Sequence, residues 1–179
     1  MFGCVGRQYK GLRIILSGGQ TGVDQAAHRA ARANGLLCAG WCPPTRECEQ
    51  GTIPYDFPLQ PTPEERSPFC QAVPRSQRTE WNVRDSDGTL IIIVSDPITD
   101  PGTVWTSKVA QHFGVPLLFV KAWGNETTPS ISRWLTAYRI GVLNVAGPSE
   151  ETSPGISARA FDLLSDLFRQ CRTLSKSSW

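Results

Sequence analysis

The 179-residue chain is poor in methionine (one) and histidine (two), and its longest apolar run is the five residues Leu90–Val94. A bilayer span needs about 20 consecutive apolar residues, so no stretch of this chain is expected to cross a membrane. Met1–Lys10 has no apolar core of signal-peptide length, which argues against export and reads as cytoplasmic. Charge of one sign is also missing. Eighteen basic residues face sixteen acidic ones for a net +2, with no basic run, so a nucleic-acid partner is not expected. With only His28 and His112, the second deep in a predicted helix, no Ser/His/Asp or Cys/His triad can be assembled. Cysteine is not scarce, but its six copies lack a disulfide or zinc pattern. Cys38 falls in a predicted strand and Cys171 in a predicted helix, where a thiol acts as a small hydrophobe. Cys38, Cys42 and Cys48, near His28, lack the second paired half of a structural zinc site. Reduced thiols are the expected state, and no protein-derived metal ligand is assigned.

What is present suits one globular domain over residues 1–179: 40% hydrophobic and 19% charged residues. Five apolar runs read as strands, Leu12–Leu16, Leu36–Gly40, Thr89–Ser95, Pro116–Val120 and Ile140–Val145. All but Leu36–Gly40 are rich in Ile, Val and Leu without alternation, as expected of strands covered on both faces. Helical segments alternate with them. Val23–Ala33 stops at Asn34-Gly35, Ser76–Arg84 is short and polar, and Thr103–Phe113 stops at Gly114. Ser130–Tyr138 carries Ile131, Trp134, Leu135 and Tyr138 at helical spacing. The last helix is expected to start with Ser153 as cap and Pro154 in its first position. Alternation of this kind predicts an α/β fold, a doubly wound and mostly parallel sheet of five to seven strands. Residues 42–75 are proline-rich and aperiodic, a long irregular connection of the kind that forms lids or interfaces. Residues 173–179 read as a frayed tail.

In doubly wound sheets, ligands bind beyond the carboxyl ends of the strands. The first strand runs into Ser17-Gly18-Gly19-Gln20-Thr21-Gly22, and a helix follows at once. Glycines admit a ligand close to the backbone, while the amides and dipole of a helix start favour an anion. Gly22 is followed by Val23 and Asp24 instead of the lysine of a Walker loop, and the spacing is not GxGxxG. The competing reading is a tight βα turn whose glycines permit close packing. Asp24, in the first helical turn, gains from the dipole by itself and could also bind a ligand hydroxyl or a magnesium ion. His28, one turn further on, is the more ordinary packing residue.

A second strand–loop–helix unit follows Ile93, with Ser95, Thr99, Gly102, Thr103 and Thr106 near the helix start. Its plain alternative is an ordinary loop with Thr103 as helix cap. Between the two loops, Arg78 and Asn82 share a helix face. Arg78 could grip phosphate and Asn82 a polar ring edge, or Arg78 could simply pair with a surface carboxylate. Asp85 and Asp87 are read as turn residues, not as an acid/base pair. The candidate ligand-binding set is Ser17, Gly18, Gly19, Gln20, Thr21, Gly22, Asp24, Arg78, Asn82, Ser95, Gly102, Thr103 and Thr106. Gly18, Gly19, Thr21, Gly22, Gly102 and Thr103 are assigned to the anion.

SGGQTGVDQAA (Ser17–Ala27), RTEWNVRDSDGTLIII (Arg78–Ile93), Pro101-Gly102-Thr103 and LNVAGP (Leu143–Pro148) together resemble the molybdenum (cofactor) carrier family. That family is a circularly permuted branch of the Rossmann-like superfamily that includes the cytokinin-activating phosphoribohydrolases. The resemblance runs from about Leu12 to the final helix. It implies a Rossmann-like homo-oligomer that binds the molybdenum cofactor (molybdopterin), with a cofactor-synthesis protein or a molybdoenzyme as partner. Two positions depart from the family pattern: Pro101 replaces a glycine, and Ser149 stands where an arginine is common. The alternative activity is phosphoribohydrolase-like cleavage of an N-glycosidic bond in a nucleoside monophosphate. The acid those relatives carry after their glycine loop corresponds to Thr106 here; Asp24 at the first loop is the nearest candidate acid, at a different spacing, and without a well-placed carboxylate such hydrolysis loses its acid/base group.

Overall fold

The computed structural model describes residues 11–94, 100–124 and 128–176, the side chains only as far as 172. Five strands form the central sheet: β1 (Ile14–Leu16), β2 (Leu37–Ala39), β7 (Gly88–Ile93), β8 (Leu117–Lys121) and β9 (Val142–Ala146). The bridges β3 (Trp41–Cys42), β4 (Glu47–Cys48), β5 (Gly51–Thr52) and β6 (Gln60–Pro61) lie between β2 and β7. Sheet order is β2-β1-β9-β7-β8, and every pairing is parallel. The chain builds outward from β1 to β2, jumps to β7 and β8, and returns to insert β9 at the centre. Winding therefore reverses beside β9, and the crevice beyond the strand ends opens there.

Helices α1 (Val23–Ala33), α4 (Thr128–Ala137) and α5 (Ile156–Lys176) cover one face, α5 packing on both α1 and α4. Their core joins Ala26, Ala27, Ala30, Leu164, Leu167 and Phe168 to Ile15, Leu90, Ile92, Leu143 and Val145. Alanine at successive turns of α1 lets α5 approach closely, which gives that alanine-rich segment its helical site. The other face carries α2 (Ser76–Arg84) and α3 (Pro101–Phe113), packed on each other, with Val83, Val109 and Ala110 between them.

Several boundaries differ from the sequence expectation. Helix α3 starts at Pro101 because Asp100 is its cap, its carboxylate accepting the Thr103 N–H at 2.6 Å. Proline then occupies the first turn, where no N–H is needed. Helix α4 begins at Thr128 and ends at Ala137, one residue short of Tyr138. Helix α5 starts at Ile156, not at Pro154, and Ser153 is not its cap. Instead Glu150 reaches forward, its carboxylate accepting the N–H groups of Gly155 at 2.6 Å and Ser157 at 2.8 Å. A carboxylate at that end also meets the helix dipole favourably. Strand β8 is not covered on both faces as its composition suggested; it is an edge strand with Phe119 and Lys121 exposed. The connection 42–75 is more ordered than its composition suggested. It folds on a core of its own, Cys42, Cys48, Ile53, Phe57 and Leu59, with a parallel β3–β6 pairing and an antiparallel β4–β5 hairpin.

Candidate functional site

At the reversal point lies a cavity of about 230 Å³. Both predicted loops reach it. Gly18, Gln20 and Asp24 line it from the first, and Gly102, Thr103 and Thr106 from the second, with Arg78 and Asn82 on α2 between them. Ser17, Gly19, Thr21 and Gly22 are not among its lining residues, and Ser95 lies outside the described residues.

The first loop is tied up with protein partners. Ser17 is fully buried and its hydroxyl donates to the Val145 carbonyl at 2.8 Å, joining β1 to β9. Gly19 has φ +80° and sits against Ile53 and Leu59 of the small core. Gln20 donates its N–H to Asp24 at 3.3 Å, and its side-chain oxygen accepts the N–H groups of Thr21 and Glu49, each at 3.0 Å. The Thr21 hydroxyl donates to Glu49 at 2.7 Å. The Val23 N–H, at the start of α1, donates to the Pro148 carbonyl at 3.2 Å. The anion already seated at this helix start is Asp24 itself. It is 3% exposed, and Arg78 Nη1 donates to its carboxylate at 2.7 Å.

That arrangement corrects several expectations. Arg78 does not present a spare guanidinium edge in the way foreseen, and its partner is a buried carboxylate, not a surface one. With Arg78 on Asp24, the carboxylate is not left open for magnesium, and among the described residues no group of three His, Cys, Asp or Glu is placed to hold a metal. Asn82 is not free to read a ring edge. Its Oδ1 accepts the Trp41 N–H at 2.9 Å, and its Nδ2 donates to the carbonyls of Trp41 at 2.9 Å and Arg78 at 2.8 Å. The amide thus clamps β3 onto α2. In the second loop the Thr103 N–H is held by Asp100, and the Thr106 hydroxyl donates to the Gly102 carbonyl at 2.8 Å.

Other residues supply the polar groups that remain open. Arg75, just before α2, has φ +57°, a left-handed conformation costly for a residue with a side chain. Arg75 lines the cavity, and its guanidinium has no partner among the described residues. Glu49, at the tip of the β4–β5 hairpin, brings a carboxylate in from the proline-rich connection. Asn144 and residues 145–149 line the floor where β9 ends. Asn144 and Ser149 belonged to stretches already noticed in the sequence. Arg75 and Glu49 had no local pattern to mark them as ligand-facing.

His28 is a core residue. Its ring is stacked on Phe57 with centroids 5.0 Å apart, Nε2 is 3.4 Å from the Ser17 carbonyl, and Nδ1 has no hydrogen-bond partner. Burial holds its pKa below the ordinary 6.5, outweighing the nearby Asp24 charge. The unfolded chain therefore takes a proton below about pH 6.5 that the folded protein resists, and stability falls as pH drops through that region. Above it both states are neutral and the contribution vanishes. The slope from this one group is at most about 1.4 kcal/mol per pH unit. Urea midpoints from pH 7.5 to 5.5 should show a shallower acid loss for His28→Gln than for the parent; identical slopes would remove His28 as the cause. The five described cysteines, Cys38, Cys42, Cys48, Cys70 and Cys171, are free thiols. Burial raises the pKa of Cys38, Cys42 and Cys171, the opposite of what a reactive thiolate requires.

Residues 15–168, from β1 well into α5, match the family described as circularly permutated YpsA SLOG. The chain belongs to the circularly permutated YpsA SLOG family. A crystal structure from Syntrophus aciditrophicus SB, of a protein named "putative molybdenum carrier protein", is similar at 34% identity with a TM-score of 0.78. The likeness covers 88% of this chain and 95% of that one. No curated protein matches the chain. The Rossmann-like architecture of this YpsA SLOG member tolerates both sequence departures locally. Pro101 occupies the first turn of α3, and the Ser149 hydroxyl lies 2.8 Å from that of Thr152 and accepts its N–H at 3.2 Å. Among the described residues no helix is long and apolar enough to cross a membrane.

Proposed function

We propose that the protein binds and carries a phosphorylated pterin, the molybdenum cofactor, in the cavity at the reversal point. The observation that carries this reading is Arg75, a lining residue of the cavity whose guanidinium has no partner among the described residues. An arginine so placed can take a phosphate through two parallel hydrogen bonds. The name of the Syntrophus protein supports the choice of cargo. Carriage also implies a cofactor-synthesis protein as source and a molybdoenzyme as recipient, and self-association of the chain belongs to the same reading.

Binding is favoured over hydrolysis because Thr106 stands at the acid position of the hydrolytic relatives and its hydroxyl is spent on Gly102. Of the three carboxylates in the cavity, Asp24 is paired with Arg78, Asp100 caps α3 and Glu49 accepts the Thr21 hydroxyl, so Glu49 is the one a hydrolytic reading would have to use. Purified protein loaded with cofactor, desalted and oxidised should release a fluorescent pterin in near-stoichiometric amount. Arg75→Gln should retain about a tenth or less, the loss expected for one charge-assisted contact. In parallel, incubation with nucleoside monophosphates should liberate no free base. Base release without pterin retention would replace the carrier reading by the hydrolase one.

A further inference from the structure

The charged groups that line the cavity are Asp24, Glu49, Asp100, Arg75 and Arg78. Two of them cancel, Asp24 and Arg78, which form a pair at 2.7 Å. Arg75 remains as a cation and Asp100 and Glu49 as anions, Asp100 being turned to the Thr103 N–H as the cap of α3. The cavity is therefore bipolar, although its first loop reads in sequence as a plain anion site.

Glu49 is held in a fixed pose. Cys48, beside it, is buried in the small core, and the hairpin pairing of Cys48 with Gly51 sets the turn. The Glu49 N–H donates to Gln20 at 3.0 Å, and Oε2 accepts the Thr21 hydroxyl at 2.7 Å. Oε1 has no partner among the described residues, and Oε2 keeps a second lone pair. A half-buried carboxylate fixed by the glycine turn is an acceptor pair waiting for two donors.

Resting on the reading of this cavity as the ligand site, we propose that Glu49 selects the ring of the ligand. It accepts two adjacent N–H groups of a 2-amino-4-oxopyrimidine edge, the edge common to pterins and guanine, while Arg75 takes the phosphate. That edge offers an exocyclic amine and a ring N–H side by side, matching the two oxygens of one carboxylate. Adenine offers one donor beside one acceptor on its equivalent edge. A 2-oxo ring puts an acceptor against the carboxylate. Both leave Glu49 with an unmet or repelled oxygen, and a site built to meet donors rejects a ring that lacks them strongly.

Calorimetric titration of the full chain with neopterin monophosphate and with its 2-oxo (lumazine) counterpart tests this, with adenosine monophosphate as a third probe. The parent should prefer the 2-amino ring about ten- to a hundredfold, the range for charge-assisted hydrogen bonds. Glu49→Gln should abolish or reverse that preference, since its amide offers one donor and one acceptor, which match the 2-oxo group and ring N–H of the lumazine and leave one of the two pterin donors unmet. Its melting curve should stay near the parental one, because glutamine still accepts from Thr21. Arg75→Gln should weaken both pteridines alike and leave their ratio unchanged. Equal binding of both rings by the parent, or a preference that survives in Glu49→Gln, overturns the role of Glu49. If Arg75→Gln still weakens both, the cavity reading stands without it. Failure of the parent to bind either pteridine, or affinities untouched by Arg75→Gln, takes down the cavity reading itself.

Discussion

Gly22→Ala should destabilise the protein by about 3 kcal/mol or more, through backbone contact and not through any lost ligand. Gly22 has φ +76° and ψ −125°, a region that side chains rarely enter. A Cβ there would lie 2.5 Å from the Pro148 carbonyl oxygen and 2.7 Å from both the Glu150 nitrogen and the Ser149 carbonyl carbon. All three are main-chain atoms, so no rotamer change relieves them. The same junction carries the Val23 N–H to Pro148 bond and the Glu150 N–H to Thr21 bond at 3.3 Å. Moving one loop away from the other would break both. Gly51 and Gly114 serve as controls: each has positive φ, +103° and +67°, with nothing within 4 Å of a Cβ. Alanine there should cost only about 1 kcal/mol, the conformational strain alone. Urea denaturation of the three variants decides it, and a Gly22→Ala loss no larger than the Gly51→Ala loss would refute the contact account. Any loss of binding in Gly22 variants should follow their loss of folded protein.

Asp24→Ala should cost about 3 kcal/mol, the loss expected when one member of a largely buried ion pair is removed. The Asp24 side chain is 4% exposed and that of Arg78 18%. Removing the carboxylate leaves a mostly buried guanidinium whose Nε already has no partner, and strips the Gln20 N–H of its acceptor. The pair also sets the course of Arg78, whose guanidinium lies against Gly18 so closely that a Cβ there would be 1.6 Å from Nη1. Arg78→Met removes the charge along with its partner's purpose, so the double variant Asp24→Ala/Arg78→Met should be more stable than the sum of the two single losses predicts. Strict additivity in a double-mutant cycle by chemical denaturation would mean that the two side chains do not act as a pair.

The sheet was readable from composition because its central strands are buried on both faces. Ile91 and Ile92 in β7 and Leu143 in β9 are fully inaccessible, and uninterrupted apolar runs are what such strands require. Helix α1 was legible to its ends, since Asn34-Gly35 stops it and its alanines mark a face for close packing. Edge strand β8 has much the same composition as the core strands, so exposure of Phe119 was not visible. The start of α5 was misread because its cap comes from Glu150, several residues upstream, and not from the nearest hydroxyl.

That the two loops converge on one cavity was legible, and the contacts their residues make were not. Two loops that follow parallel strands on either side of a winding reversal must open on one crevice, and they do. A glycine's purpose, however, depends on what faces its missing Cβ. For Gly19 that is Ile53 and Leu59, and for Gly22 it is the β9–α5 loop, contacts made across long sequence separations. Residue type and spacing by themselves determined that this chain is an alternating α/β domain of a known family, with its polar loops gathered at the strand ends. They did so because burial and helical periodicity are local properties. Which charges cancel and which stay open was decided only in three dimensions. Asp24 meets Arg78 from 54 residues away, and Glu49 is aimed by Gln20 and Thr21 from a different segment. Electrostatic pairing depends on distance through space, and the order of residues along the chain does not encode it.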